Sequence, residues 1–154
     1  MPAFAFRLAS LLRLRESIRD QRRQELAHAL RAEELLRQEQ GRVEEELRHV
    51  AEQARRAAGP GEVQVDTLVE SERFELVLLA RRRLLATQQE VLQAEIQRRR
   101  HALVEANRQV QVLQRLRQRQ LERHRQEENR REVLALDEAA QRRAVGQEVE
   151  GWGD

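Results

Sequence analysis

Side chains suited to metal or nucleophilic chemistry are few in this sequence, and their spacing keeps them apart. The four histidines are His28, His49, His101 and His124, and no two of them are three or four residues apart. A helix brings ligands onto one face only at such spacings. Cysteine is absent, which excludes thiolate ligands, cysteine nucleophiles and disulfides. We therefore expect no metal and no cofactor.

Catalysis is not indicated either. A serine or threonine nucleophile needs a neighbouring base inside a pocket, and phosphate binding needs a glycine-rich loop. The six glycines stand singly or flank Pro60, so none forms a glycine-rich loop. Two long helices, which the apolar period predicts, enclose no pocket. We expect a protein that is not an enzyme and has no small-molecule substrate.

Arginine supplies every basic residue outside the histidines. The 29 arginines face 27 acidic residues, so the formal net charge is only +2. Residues 98–131 hold 11 arginines against 4 glutamates, whereas residues 59–97 hold 4 arginines against 7 acidic residues. Arg98–Arg100 and the alternating Arg115, Arg117 and Arg119 suit phosphate contacts, but stacking aromatics are missing. A solvated helix face is the favoured interpretation, followed by an acidic protein partner; nucleic acid is not among the expected partners.

The elements that carry these residues are long helices. Aromatic residues make up 3% and charged residues 36% of the chain, a composition typical of coiled coils rather than packed globular cores. One strong break, Gly59-Pro60-Gly61, divides the chain. Asp66 and Thr67 are good N-caps, and Thr67 with Glu70 fits a capping box. We predict helices over roughly 3–58 and 67–145.

Apolar residues recur in both segments at alternating steps of three and four, the period of a coiled-coil seam. The first segment offers Phe4, Leu8, Leu11, Ile18, Ala29, Ala32, Leu36, Val43, Leu47, Val50 and Ala54, with a phase slip near Gly41. The second offers Phe74, Leu78, Leu85 and Leu92 and, after another slip, Ile96, Leu103, Ala106, Val110 and Leu113. Arg15, Arg22 and Glu25 fall in the predicted seam. The pattern predicts an all-α fold, two long helices in an antiparallel coiled-coil hairpin.

The predicted helices are unequal in length, so the second overhangs. Helix one should run out opposite about Gln118, and residues 122–132 contain no apolar side chain. Beyond them an apolar stripe has no intramolecular partner: Val133, Leu134, Leu136, Ala139, Ala140 and Val145. This stripe is the first candidate binding site. We predict one hairpin domain over 1–145 with a hinge at 59–66, then a flexible tail, 146–154, in which Trp152 is a less favoured candidate anchor.

A second apolar cluster lies after the hinge. Residues 76–80 are apolar on every side of the helix, and Phe74 precedes them. Because a two-stranded seam uses about two positions in seven, Leu76, Val77 or Leu79 should be partly exposed. Docking of a partner and packing under the 59–66 loop are equally favoured explanations.

Neither a signal peptide nor a membrane span is indicated. Residues 1–14 lack the charged start and long apolar run of a secretory signal. No apolar stretch approaches the ~18 residues needed to span a bilayer. These features fit a cytoplasmic protein.

The sequence resembles a known family at both ends. Residues 6–16, Phe-Arg-Leu-x-x-Leu-Leu-x-Leu-Arg-Glu, are similar to the start of FliJ, the coiled-coil protein of the flagellar type III export apparatus. Residues 127–131, then Leu-Asp-Glu-Ala-Ala at 136–140 with Arg142-Arg143, are similar to its C-terminal motif, although residues 132–135 depart from it. The resemblance covers nearly the whole chain.

The resemblance implies an antiparallel two-helix stalk that binds the export ATPase ring, the membrane-embedded export gate and export chaperones. It places the protein in the cytoplasm, peripherally at the inner membrane beneath the flagellum. The implied ring-binding residues are Phe6, Leu8, Leu11, Leu12, Arg15, Val133, Leu136, Asp137 and Glu138. The implied gate-binding residues are Phe74, Leu76, Val77 and Leu79. The alternatives are a stalk protein of a virulence secretion system and a general scaffold coiled coil.

Overall fold

A computed structural model of the chain describes residues 3–150, with side chains described for 3–146. Two helices make up this range, α1 (Ala9–Ala57) and α2 (Val65–Glu150), and no strand is present among the described residues. The helices pack against each other, which confirms the predicted all-α helical hairpin. Contacts divide the chain into two units: a terminal unit, up to Ser17 and from Asn107 onward, and a hairpin unit, Ile18–Ala106.

The first helix begins at Ala9 and not near Ala3 as predicted. Residues 3–6 lie outside any helix, and their exposure alternates, with Phe4 and Phe6 half-buried between exposed alanines. Such a period of two belongs to extended chain, because successive side chains point in opposite directions. The Ala9 amide donates to the Phe6 carbonyl at 3.1 Å, which closes the turn into α1.

The predicted break separates the helices, and Gln64 organises the return. The Gln64 amide donates to the Ala57 carbonyl at 3.2 Å, and the Gln64 carbonyl accepts the first bond of α2 from Leu68 at 3.1 Å. Gly61 has a φ of 135°, a conformation that side-chain-bearing residues avoid. Since α2 begins at Val65, Thr67 lies inside its first turn, and the predicted N-cap at Asp66 or Thr67 is wrong.

The second helix continues to Glu150, past the predicted end at Val145. A glycine inside a helix costs about 1 kcal/mol, so Gly146 weakens the helix without ending it. Trp152, the less favoured candidate anchor, lies outside the described residues.

The seam of the hairpin unit keeps one phase along both helices, so the phase slips predicted near Gly41 and before Ile96 are wrong; on α2, two positions of this phase, Glu75 and Arg82, are exposed. Seam residues of α1 are all buried or half-buried: Leu26, Ala29, Glu33, Leu36, Gln40, Val43, Leu47, Val50, Ala54 and Ala57. Their counterparts on α2 are Ser71, Leu78, Leu85, Gln89, Leu92, Ile96, Arg99, Leu103 and Ala106. Polar residues occupy several seam positions. A pattern that counts only apolar residues skips these positions and therefore suggests a phase slip where the seam is continuous.

These polar seam positions pair across the two helices. Gln40 donates to Gln89 at 2.7 Å, and Gln93 donates to Glu33. Arg99 reaches the carbonyl of Glu25 at 2.5 Å. Because low positions on α1 meet high positions on α2, the helices are antiparallel, and no buried side-chain polar atom lacks a partner among the described residues.

The terminal unit has its own small core. Leu12, Val110 and Leu113 are buried together, and Phe6 packs against them. The predicted seam residues Leu8 and Leu11 are instead each 37% exposed, so the seam prediction was out of phase by one residue here. The extended start explains the shift, because Phe4 and Phe6 do not continue the helical period.

Candidate protein-binding site

The end of α2 in the terminal unit presents apolar side chains that no other described residue covers. Every described side chain from Asn129 to Gly146 is exposed. The large apolar members of this segment, which we call the overhang, are 57–70% exposed: Val133, Leu134, Leu136 and Val145. Val133 and Leu134 form a shallow, almost wholly apolar surface with Asn129 and Arg130. Exposed apolar residues grouped in this way make the overhang a candidate docking surface.

The sequence-predicted residues near the N-terminus divide into two groups. Phe6 and Leu12 belong to the core of the terminal unit, and the Arg15 side chain donates to Gln109 at 2.5 Å. These three side chains therefore hold the unit together. Leu8 and Leu11 remain partly exposed and accessible.

The acidic members of the predicted site lie on the overhang. Asp137 and Glu138 are exposed, and Glu138 forms a 3.9 Å ion pair with Arg142 one turn later. A pair this exposed contributes little to stability. Both carboxylates are thus open to a partner.

Phe4 and His124 form a contact that the sequence pattern did not reveal. Their ring centroids are 5.8 Å apart in an edge-to-face arrangement, and His124 Nδ1 lies 3.4 Å from a carboxylate oxygen of Glu128. The N-terminal segment therefore reaches farther along α2 than the predicted limit near Gln118. The alternation of Ala and Phe at 3–6 was the available signal.

The arginines between positions 115 and 131 have no carboxylate partner among the described residues. In the hairpin unit, eleven arginines form ion pairs, among them Arg82 with Glu44 at 3.5 Å. Between positions 115 and 131, by contrast, none of seven arginines forms an ion pair within the described residues: Arg115, Arg117, Arg119, Arg123, Arg125, Arg130 and Arg131. Unpaired guanidinium groups on one segment favour an acidic partner surface.

The second predicted surface lies in the hairpin unit, next to the loop between the helices. Leu76 and Val77 are each 62% exposed, and Leu79 is half-buried. Phe74 is 48% exposed and not a seam residue, because Ser71 takes the buried position one turn earlier. Phe74 instead lines a groove with Val50 of α1. Leu76 and Val77 are accessible for docking, and Phe74 combines accessibility with local packing.

Metal-ligand clusters and membrane-spanning segments are both absent from the part of the chain that the structure describes. No group of three or more metal-ligating side chains exists among the residues described. None of the helices, over the described range, has a stretch long and apolar enough to cross a bilayer.

Comparison with protein families is decisive, because a family model described as Flagellar FliJ protein matches residues 4–148. The chain belongs to the flagellar FliJ protein family. This confirms the resemblance drawn from residues 6–16 and 136–140. Membership makes the chain a flagellar export-related protein of non-catalytic, structural type. No curated protein and no solved structure matched the chain.

Proposed function

We propose that this FliJ-family chain is a stalk-like component of the flagellar export apparatus that binds the export ATPase ring through its terminal unit. The proposal combines the family match with one observation, the exposed apolar overhang around Val133 and Leu136. Apolar side chains kept at 57–70% exposure on a helix gain free energy only when a partner covers them. The ring supplies that cover.

The ring contact draws on the accessible members of the predicted site. Leu8 contributes from the turn before α1 and Leu11 from the first turn of α1, and Val133, Leu136, Asp137 and Glu138 contribute from the overhang. Phe6, Leu12 and Arg15 act through the core of the terminal unit, by holding the N-terminal segment against α2. The unpaired arginines between 115 and 131 then meet acidic residues of the ring, which speeds association at low ionic strength.

The export gate is the second proposed partner, and its contact lies in the hairpin unit. Exposed Leu76 and Val77 form its centre, with Phe74 and Leu79 beside them. Binding one partner through each unit lets a protein without chemistry of its own couple the ATPase to the gate. Contacts with export chaperones and a cytoplasmic position at the inner membrane complete the proposal, and both rest on the family alone.

The test is a pull-down of the whole chain against the assembled export ATPase ring. The variant carries Val133→Asp and Leu136→Asp, which place charge on the overhang without touching a core residue. Loss of ring binding by this variant, with the circular dichroism spectrum unchanged, supports the proposal. A single Val104→Asp variant is the control, because Val104 is 55% exposed and lies outside both surfaces.

Failure of the unmodified chain to bind the assembled ring would overturn the stalk proposal and favour a scaffold role. Equal loss by the Val104→Asp control would show that any added surface charge impairs binding. The gate contact is tested separately by Leu76→Asp with the cytoplasmic part of the gate, using the same control.

A further inference from the structure

The hairpin unit carries a second heptad pattern on the outside of α2, away from its seam. Its six members follow steps of three and four, and all are exposed: Val77, Ala80, Leu84, Thr87, Val91 and Ala94. We call this set the outer stripe. Its large members are 58–64% exposed, so nothing in the described part of the chain covers them.

The outer stripe is separate from the seam that binds α1. Val77, Leu84 and Val91 each precede a seam residue by one position, and Ala80, Thr87 and Ala94 each follow one by two. At about 100° per residue, the stripe is centred roughly 150° around the helix from the seam. The Thr87 hydroxyl donates to the carbonyl of Arg83 at 3.1 Å, so its hydrogen-bonding need is met within the helix.

Large and small residues alternate along the outer stripe in a self-complementary way. The core residues of a heptad are its first and fourth. In an antiparallel pair of helices, the first residue of a heptad on one helix faces the fourth residue of a heptad on the other. Two copies of the stripe would place Val77 against Ala94, Ala80 against Val91, and Leu84 against Thr87. Each of the six layers then joins one large and one small side chain, which allows close approach.

Charges beside the stripe fit the same arrangement. Arg83 and Glu90 flank it on one side, and neither side chain forms an ion pair among the described residues. In the antiparallel pairing, Arg83 of each copy meets Glu90 of the other, so two-fold symmetry gives two ion pairs. Arg73 and Arg98 occupy the next stripe positions and limit the interface to six layers.

We propose that the outer stripe is a self-association surface on which a second copy of this chain binds in an antiparallel, two-fold symmetric manner. Complementary layers and matched charges favour a second copy over an unrelated helix, because both follow from one sequence read in two directions. Six layers of valine, leucine and small residues bury less area than a permanent dimer does, so the association is weak and reversible. The proposal does not depend on the ring-binding role.

Sedimentation equilibrium of the full chain, without any export component, tests the proposal. The average mass should rise from one chain toward two as the concentration increases into the hundreds of micromolar. Arg83→Glu or Glu90→Arg alone sets like charges face to face and should weaken association by about tenfold. The double variant R83E/E90R restores opposite charges and should recover most of the loss.

Paired cysteines determine the direction of the helices, since the natural chain has none. A mixture of Val77→Cys and Ala94→Cys chains should form a mixed disulfide under mild oxidation, while each variant alone should cross-link poorly. Efficient cross-linking of either variant with itself would show a parallel arrangement and overturn the proposal. A single-chain mass at every concentration, or a double variant no better than the singles, would also overturn it.

Discussion

Gln40 and Gln89 lie opposite each other in the seam of the hairpin unit, with Gln40 Nε2 donating a 2.7 Å hydrogen bond to Gln89 Oε1. Both side chains are half-buried at positions where a coiled coil usually holds apolar residues. A paired polar group in a seam contributes little net free energy, but an orphaned one is costly. This asymmetry makes the pair testable.

Replacing Gln40 alone by leucine should lower the free energy of unfolding by about 1 kcal/mol, because the amide of Gln89 loses its partner. The double variant Q40L/Q89L should regain that loss or exceed wild type, since two apolar groups then pack together. Urea denaturation of all four proteins gives the coupling energy. Gln38→Leu is the control, because Gln38 is exposed and pairs within its own helix. Additive effects at 40 and 89 would contradict the pairing.

Valine-to-alanine changes separate the core from the overhang. Val43 is 1% exposed, so Val43→Ala should lower the free energy of unfolding by about 2 kcal/mol through lost burial and a small cavity. Val133→Ala should change it by no more than about 0.5 kcal/mol. Denaturant unfolding measures both. A large cost at Val133 would mean that the overhang packs within the chain.

Phe6 should control the order of the N-terminal segment. Phe6→Ala removes its packing on Leu12 and should lower the local opening free energy there by about 1–2 kcal/mol. Hydrogen exchange of the Ala9 amide, which donates to the Phe6 carbonyl, should accelerate accordingly. Leu8→Ala serves as the control, because Leu8 is partly exposed and outside the core. Equal acceleration in both variants would argue against an anchoring role for Phe6.

The contacts of Glu95 should make the folded protein slightly less stable in acid. Its carboxylate accepts a 2.8 Å hydrogen bond from Arg99 and lies 2.6 Å from Arg98. The Arg99 hydrogen bond, aided by both positive charges, lowers the pKa of Glu95 below its ordinary value of 4.5, although desolvation opposes the shift. A lowered folded-state pKa gives stabilisation that is present above the ordinary value and lost as pH falls through the lowered one.

Glu95→Gln should therefore flatten the decline of the melting temperature below about pH 4.5. The effect is small because the carboxylate remains in contact with water. Glu90→Gln provides the matched control, since Glu90 is exposed and forms no ion pair among the described residues. Identical acid profiles for E95Q and wild type would show that the arginines do not stabilise the charged form.

The sequence by itself determined the helical class, the break at Gly59-Pro60-Gly61 and the apolar overhang. Each of these features follows from a local signal. The composition predicts helices, a proline between glycines predicts a break, and apolar residues beyond the end of the first helix predict an exposed stripe. The first and last residues of the helices were harder to predict from the sequence. The start of α1 depends on the core that Phe6 meets, Leu12 and Val110, which lie far apart in sequence.

Only the tertiary structure decided which polar residues complete the seam between α1 and α2. The apolar period correctly predicted Leu78, Leu85 and Leu92, but it could not include Gln89 and Arg99, which are half-buried between them and beyond. Gln89 can be recognised as a seam residue only from the structure, in which Gln40 lies opposite it and donates a hydrogen bond to it. The physical reason is that burial belongs to a pair of surfaces, and a single sequence shows each surface without its partner.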